Sequence, residues 1–296
     1  MRAAFIDQLI NEARTNERVY LLVGDLGYNV IEPFAREFPD RFRNVGIAEQ
    51  NMAGIAAGLA MTGYNVYFYS IGNFPTLRCI EQIRNDIAYH HLSVKVVAVG
   101  GGFAYADLGA THHATEAIGM LRTIPNMVVC SPADPQEARA ITTLSASYDG
   151  PMYIQLGKAG EKNIWDKNLA LEIGDILLYR KGEGHETAVL TSGSIAADVV
   201  ANEKCKDMDI YTVPFVKPLN KKMLVSLAQN YKKLFVVEEN QKSCGIGSAI
   251  VEQMNDLYAD GSIGFYSVIN RIAIDDCFSE VCGSQRYLRI HNRLSL

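Results

Sequence analysis

The sequence has no run of 18 apolar residues that an ordinary membrane-spanning helix would need, and its opening Met1-Arg-Ala-Ala-Phe5 lacks the apolar core of a signal peptide. Cysteine is sparse. The six, at 79, 130, 205, 244, 277 and 282, include no Cys-x-x-Cys, so they read as reduced core thiols rather than a disulfide framework. Basic charge is in deficit, and a net charge of −5 argues against a nucleic-acid surface, which needs clustered Lys and Arg. The expectation is a cytoplasmic protein without nucleic-acid or membrane partners.

Apolar content, by contrast, is ample. Hydrophobic residues fill 48% and charged residues 21% of 296 positions, which suits a sizeable core and two ordinary domains. Near-continuous apolar strands at 20–23, 65–70, 94–99, 127–131 and 151–156 alternate with helices near 3–15, 31–38, 76–90 and 114–122, and Asp134-Pro135 starts another helix. Such alternation predicts an α/β, doubly wound domain with a mainly parallel sheet covered on both faces. A polar stretch at 157–168 reads as a linker, after which the pattern restarts more briefly. The expected division is residues 1–165 and a smaller α/β domain over 166–296.

Several motifs are incomplete. Gly100-Gly101-Gly102 follows a strand, but Tyr105 stands where a dinucleotide loop needs its third glycine. There is no phosphate-binding G-x-x-x-x-G-K-[ST] and no G-x-S-x-G. The pairs His90-His91 and His112-His113 are adjacent, so their side chains diverge, and no metal ligand set is expected in this chain. Gly24-Asp25 followed by Asn44 is only a fragment of the Gly-Asp-Gly…Asn pattern that holds a magnesium diphosphate, since Leu26 replaces the second glycine.

The stretch from Asn44 to Ala60 reads as a strand end turning into a helix with Glu49 in its first turn. Met52, Ile55, Ala56, Leu59 and Ala60 follow at helical spacing, and Thr62-Gly63 forms the stop. A carboxylate there could simply answer the helix dipole. Taken in order with Asp25-Leu26, Gly46-Ile-Ala-Glu49-Gln-Asn, Phe74, Arg78-x-x-Glu-Gln-Ile-Arg84, Gly109-x-Thr-His112-His-Ala-Thr-Glu116 and Pro132-Ala-Asp, however, the sequence resembles the transketolase family. The resemblance extends through Val213-Pro-Phe-Val-Lys-Pro-Leu219, Glu238-Glu-Asn240, Gly245-Ile-Gly and Gly283-Ser-Gln-Arg-Tyr-Leu, nearly the whole chain.

That resemblance implies a pyrimidine-binding domain followed by the family's C-terminal domain, and a thiamine diphosphate cofactor. Glu49 matches the carboxylate that hydrogen-bonds the cofactor's aminopyrimidine and activates it as a base. Phe74 matches the aromatic packed on the pyrimidine, Ile47 the apolar residue that keeps the cofactor bent, and Asp25 an acidic residue near the thiazolium. His112 and Lys158 fall at substrate positions. The family's diphosphate-binding domain has no counterpart in the sequence. The expectation is therefore a separate subunit that supplies it together with Mg²⁺ or Ca²⁺, in an α2β2 heterotetramer with self-dimerisation of this chain.

Departures from the family lie at the substrate end. Gly100 replaces a phosphate-binding His, Leu108 replaces a hydroxyl-reading Asp, and Lys158 replaces an Arg. Three consecutive glycines suggest a widened channel. The implied activity is transfer of a two-carbon ketol unit between sugar-type substrates, with modified sugars suiting these departures. The alternatives are a deoxyxylulose phosphate synthase-like or 2-oxoacid dehydrogenase beta-like subunit, or a non-catalytic assembly partner.

Overall fold

The computed structural model describes residues 1–184, 186–265 and 267–296, and contains two sheets. The first half runs α1 (Arg2–Thr15), β1 (Val19–Val23), α2 (Glu32–Glu37), β2 (Phe42–Asn44), α3 (Glu49–Met61), β3 (Asn65–Ile71), α4 (Ile80–Gln82), β4 (Val94–Val99), α5 (Ala117–Thr123), β5 (Val128–Cys130), α6 (Pro135–Ser147) and β6 (Met152–Leu156). The second runs β7 (Leu177–Arg180), β8 (Thr187–Thr191), α7 (Ala196–Val200), β9 (Asp209–Thr212), β10 (Phe215–Lys217), α8 (Lys221–Asn230), β11 (Lys233–Gln241), α9 (Ile246–Ala259), β12 (Val268–Ile274) and α10 (Gln285–His291).

The first sheet has the order β10-β5-β6-β4-β3-β1-β2 and is parallel except for β10, which pairs antiparallel with β5. The second has the order β12-β11-β8-β9-β7, with only β7 antiparallel. Strands such as β1 and β6 are buried along their whole length, as a sheet covered on both faces requires. Chain order reverses between β1 and β3, since β2 lies outside β1 while β3 lies inside it. Crevices at such switch points, beyond the carboxyl ends of the strands, are where open α/β sheets bind ligands.

Helices α1, α2 and α6 pack on one face of this sheet. The other face carries α3, the turns after α4 and α5, and its core continues into α8 and α9 of the second domain. The two domains thus share one hydrophobic interior. Strand β10 ties them further: it arises in the second half but completes the first sheet, with Ser131 N donating to Pro214 O at 2.8 Å.

Three local readings change in three dimensions, and one strand holds a buried charge. The buried face of α3 is Glu49, Met52, Ala53, Ala56 and Ala57, whereas Ile55 points outward. The helix expected at 76–90 is a broken one, with a 3₁₀ turn at Leu77–Cys79, the short α4, and a π-helical stretch at Ile83–Ala88. Such irregular turns often mark functional sites. The supposed linker is pinned: Trp165 is buried, its indole donates to Glu137 Oε1 at 2.9 Å, and its N–H and that of Ile164 both donate to Asp134 Oδ2. Strand β4 buries Lys95 completely, where Nζ donates to Ser93 Oγ and to the carbonyls of Tyr148 and Gly150, and burial draws its pKa down to about 7. Asp134 caps α6 as expected, accepting from Glu137 N at 2.8 Å.

Candidate active site

Glu49 begins α3 and so sits at the carboxyl edge of the first sheet, close to the β1–β3 switch point. Its side chain is 1% exposed. Ser70, near the end of β3, donates to Oε1 at 3.0 Å, and Arg78 Nη1 donates to Oε2 at 2.7 Å. Gly24 lies beside this carboxylate. A Cβ there would stand 3.3 Å from Ser70 Oγ and 3.4 Å from Glu49 Oε1, so the absent side chain lets β1 run close to the acid.

Arg78 also lies over Phe74, with its guanidinium carbon 4.8 Å from the ring centroid. One planar, nitrogen-bearing cation therefore both lies over the aromatic and hydrogen-bonds the buried acid. The ring of His112 meets the Phe74 ring edge-on at 5.5 Å, which brings Glu49, Phe74 and His112 into one cluster through Arg78. Asn73 anchors the His112 loop by donating to the carbonyls of Thr111 and His113, which leaves its own Oδ1 buried and unpaired. His113 turns away against Phe103, and burial lowers its pKa.

Removing Arg78 should expose how much the acid relies on it. Arg78→Ala is expected to lower the stability of the chain by about 1–3 kcal/mol, because a buried carboxylate loses a charged donor. The lower end applies, since the Arg78 side chain is itself 42% exposed. Urea denaturation measures the change, and an unaltered midpoint would mean that water replaces the guanidinium freely.

The remaining residues singled out in the sequence sit around this cluster. Asp25 is exposed and left-handed, with φ of 52°, and exchanges hydrogen bonds with Asn44: its N–H donates to Asn44 Oδ1, and Asn44 Nδ2 donates back to Oδ1. The pair locks the ends of β1 and β2 together. Ile47 projects from the loop between β2 and α3 and is 79% exposed. Lys158 follows β6, with Nζ 4.7 Å from the Tyr105 ring centroid and 3.7 Å from Asp107. The structure brings it to the carboxyl edge of the sheet but shows no direct contact with Glu49 or Phe74.

The three glycines do not widen a channel. A Cβ on Gly100 would fall 2.1 Å from the Tyr105 ring, one on Gly101 2.1 Å from Gln155 Nε2, and one on Gly102 2.6 Å from Glu239 Cγ. Their space is occupied by neighbours, so they permit close packing rather than open room. Arg78, Ser70, Asn73 and Tyr105 carry contacts that the sequence assigned to no role. For Arg78 a signal was present, a cation four residues after Phe74.

Comparison with known proteins bears on both halves of the chain. Residues 1–160 match the transketolase pyrimidine binding domain and residues 179–273 the transketolase C-terminal domain. The chain is 30% identical over 264 residues to a subunit of the apulose-4-phosphate transketolase of Phocaeicola vulgatus, covering 86% of this chain and 83% of that protein. It is 29% identical over 294 residues to a 6-deoxy-6-sulfo-D-fructose transketolase subunit of a Clostridium species, covering 98% and 88%. Among solved structures, a split gene transketolase described as an inactive beta4 tetramer superimposes with a TM-score of 0.88 at 29% identity, over 99% of this chain and 93% of that one. On these matches, which span both sheets, the chain belongs to the transketolase family and carries its pyrimidine-binding and C-terminal domains.

Proposed function

We propose that this chain is the pyrimidine-binding subunit of a split, thiamine diphosphate-dependent transketolase that moves a two-carbon ketol unit between modified sugars in the cytoplasm. The observation that carries the reading is the buried Glu49 carboxylate hydrogen-bonded to a planar cation that lies over Phe74. The guanidinium of Arg78 stands in for a flat, nitrogen-bearing ring, so these residues fit an aminopyrimidine in size, and one whose N1′ is protonated would donate to Glu49 as the guanidinium does. Bound here, thiamine diphosphate would supply an acidic carbon able to carry the ketol unit from donor to acceptor.

This chain's residues then divide the work. Glu49 holds a proton between its carboxyl and the pyrimidine N1′, which Arg78 must vacate. Phe74 orients the ring by stacking, and Ile47, exposed beside the acid, offers an apolar buttress. Asp25, exposed beside Asn44, would meet the thiazolium end of the cofactor. His112 faces the substrate, and Lys158, tempered by Asp107, meets an anionic group weakly. Among the described residues no group of three or more His, Cys, Asp or Glu could hold a metal ion, and we assign Mg²⁺ or Ca²⁺ and the diphosphate to the partner subunit.

The relatives named as transketolase subunits support a two-polypeptide enzyme, and an α2β2 heterotetramer is the assembly we expect. The outward face of α3 suits self-association: a Cβ on Gly54 or Gly58 would meet nothing within 4 Å, and Ile55 and Met61 are exposed beside them. Modified sugars are favoured by the names of those relatives and by Leu108, which is exposed where the family has a hydroxyl-reading acid.

Calorimetry tests the split. The chain alone should bind thiamine diphosphate and Mg²⁺ weakly or not at all, because charge-assisted bonds of about 1.5–3 kcal/mol each to the diphosphate are missing. Adding a subunit that bears Gly-Asp-Gly…Asn should restore binding and ketol transfer. Submicromolar affinity without that subunit would overturn the proposal.

A further inference from the structure

Beside Arg78 opens a cleft of ≈ 410 Å³, lined among others by Asn73, Phe74, Leu77, Arg78, His113 and Phe278. Phe278 is the residue that does not belong by domain. It comes from the segment after β12, in the second domain, and the residue is 72% exposed. A single exposed aromatic needs no explanation by itself. This one also walls a second cleft of ≈ 530 Å³, formed with Met120, Cys244 and Cys277, so it stands on the ridge between the two.

The segment carrying it is moored to the loop that bears His112. Gln241 Nε2 donates to Cys277 O at 3.3 Å, and Gln241 N donates to Thr115 O at 2.9 Å. At the other end Gly283 N donates to Ala106 O at 3.4 Å, and a Cβ on Gly109 would lie 3.2 Å from Cys282 Sγ. Phe278 thereby lines the same cleft as Phe74 and Leu77. The cleft joins an apolar wall to a guanidinium, the Glu116 carboxylate and the nearby unpaired Asn73 Oδ1. A fully hydroxylated sugar would bury its hydroxyl groups against that wall without partners, which is costly.

We propose that Phe278 is a specificity-determining residue of the substrate cleft, its ring packing on a deoxygenated, branched or otherwise hydroxyl-poor part of the sugar. This rests on the ketol-transfer reading. It gives the C-terminal domain a place in substrate selection as well as in folding.

The test compares wild type, Phe278→Ala and Phe278→Leu in the assembled two-subunit enzyme, using apulose 4-phosphate, 6-deoxy-6-sulfo-D-fructose and xylulose 5-phosphate as probes. Losing the ring should lower kcat/KM for a modified sugar relative to xylulose 5-phosphate by about 10- to 200-fold, the range for apolar pocket contacts. Phe278→Leu should recover part of the ratio. An unchanged ratio in Phe278→Ala overturns the inference. So does weakened subunit association, read by sedimentation, with the ratio intact, or a wild type that turns over xylulose 5-phosphate alone. Proton exchange at C2 of the cofactor in the wild-type complex separates the two levels. Without exchange the ketol-transfer reading falls, and with exchange but an unchanged ratio only the role of Phe278 falls.

Discussion

Glu49→Gln in the assembled enzyme is expected to slow exchange of the cofactor's C2 proton by about 10²–10⁴-fold, the usual span of a general acid–base contribution. The amide matches the carboxyl in size and can still accept from Ser70 or Arg78, but it cannot share a proton with a ring nitrogen. The fold should survive, because the neighbouring core positions Met52, Ala53 and Ala56 are untouched. Exchange followed by proton NMR after a deuterium jump, with circular dichroism on the same sample, makes the measurement. Wild-type exchange in the variant would reduce Glu49 to a charge that answers the helix dipole and Arg78.

The second large effect is on stability. Gly102 has φ of +60°, and a Cβ there would meet Glu239 Cγ at 2.6 Å and the Glu239 carbonyl oxygen at 2.8 Å. Gly102→Ala combines a left-handed backbone, at about 1–2 kcal/mol, with overpacking against a backbone atom, at about 1–3 kcal/mol. The expected loss is about 2–5 kcal/mol by urea denaturation. Glu239 has little freedom to retreat, because Arg289 Nε and Nη2 both donate to its carboxylate, at 3.0 and 2.7 Å. Gly102 also exchanges two backbone hydrogen bonds with Ala114, closing the loop that carries His112. Activity should therefore fall with stability. A loss under about 0.5 kcal/mol would show that the domains part easily at this contact.

Both substitutions touch features whose legibility in the sequence differs. The α/β architecture was readable because parallel strands are apolar on both faces and their helices carry an apolar stripe, so periodicity within a few residues suffices. The Asp134-Pro135 helix start and the Thr62-Gly63 stop were readable for the same reason, since caps act within one turn. Glu49, Phe74 and His112 were singled out by an ordered set of motifs, and the fold links them in one cluster through Arg78.

What the chain order could not express is which distant atoms fill the same space. Gly100, Gly101 and Gly102 look identical in a sequence, yet whether a glycine opens a channel or admits a neighbour depends on Tyr105, Gln155 and Glu239, the last two far along the chain. Strand β10 is three residues long, too short for a period, and only its hydrogen bonds to β5 assign it to the first sheet. The outward turn of Ile55 follows from where α3 meets the sheet, because apolar spacing gives a stripe but not the edge at which burial ends. Arg78 reaches Glu49 from a broken helical turn that no regular spacing describes, and Phe278 reaches the cleft from the other domain. Local propensity and periodicity, which act over a few residues, were determined by the sequence alone. The occupancy of the site was decided by tertiary packing, because close contact is a property of pairs that the chain brings together only when folded.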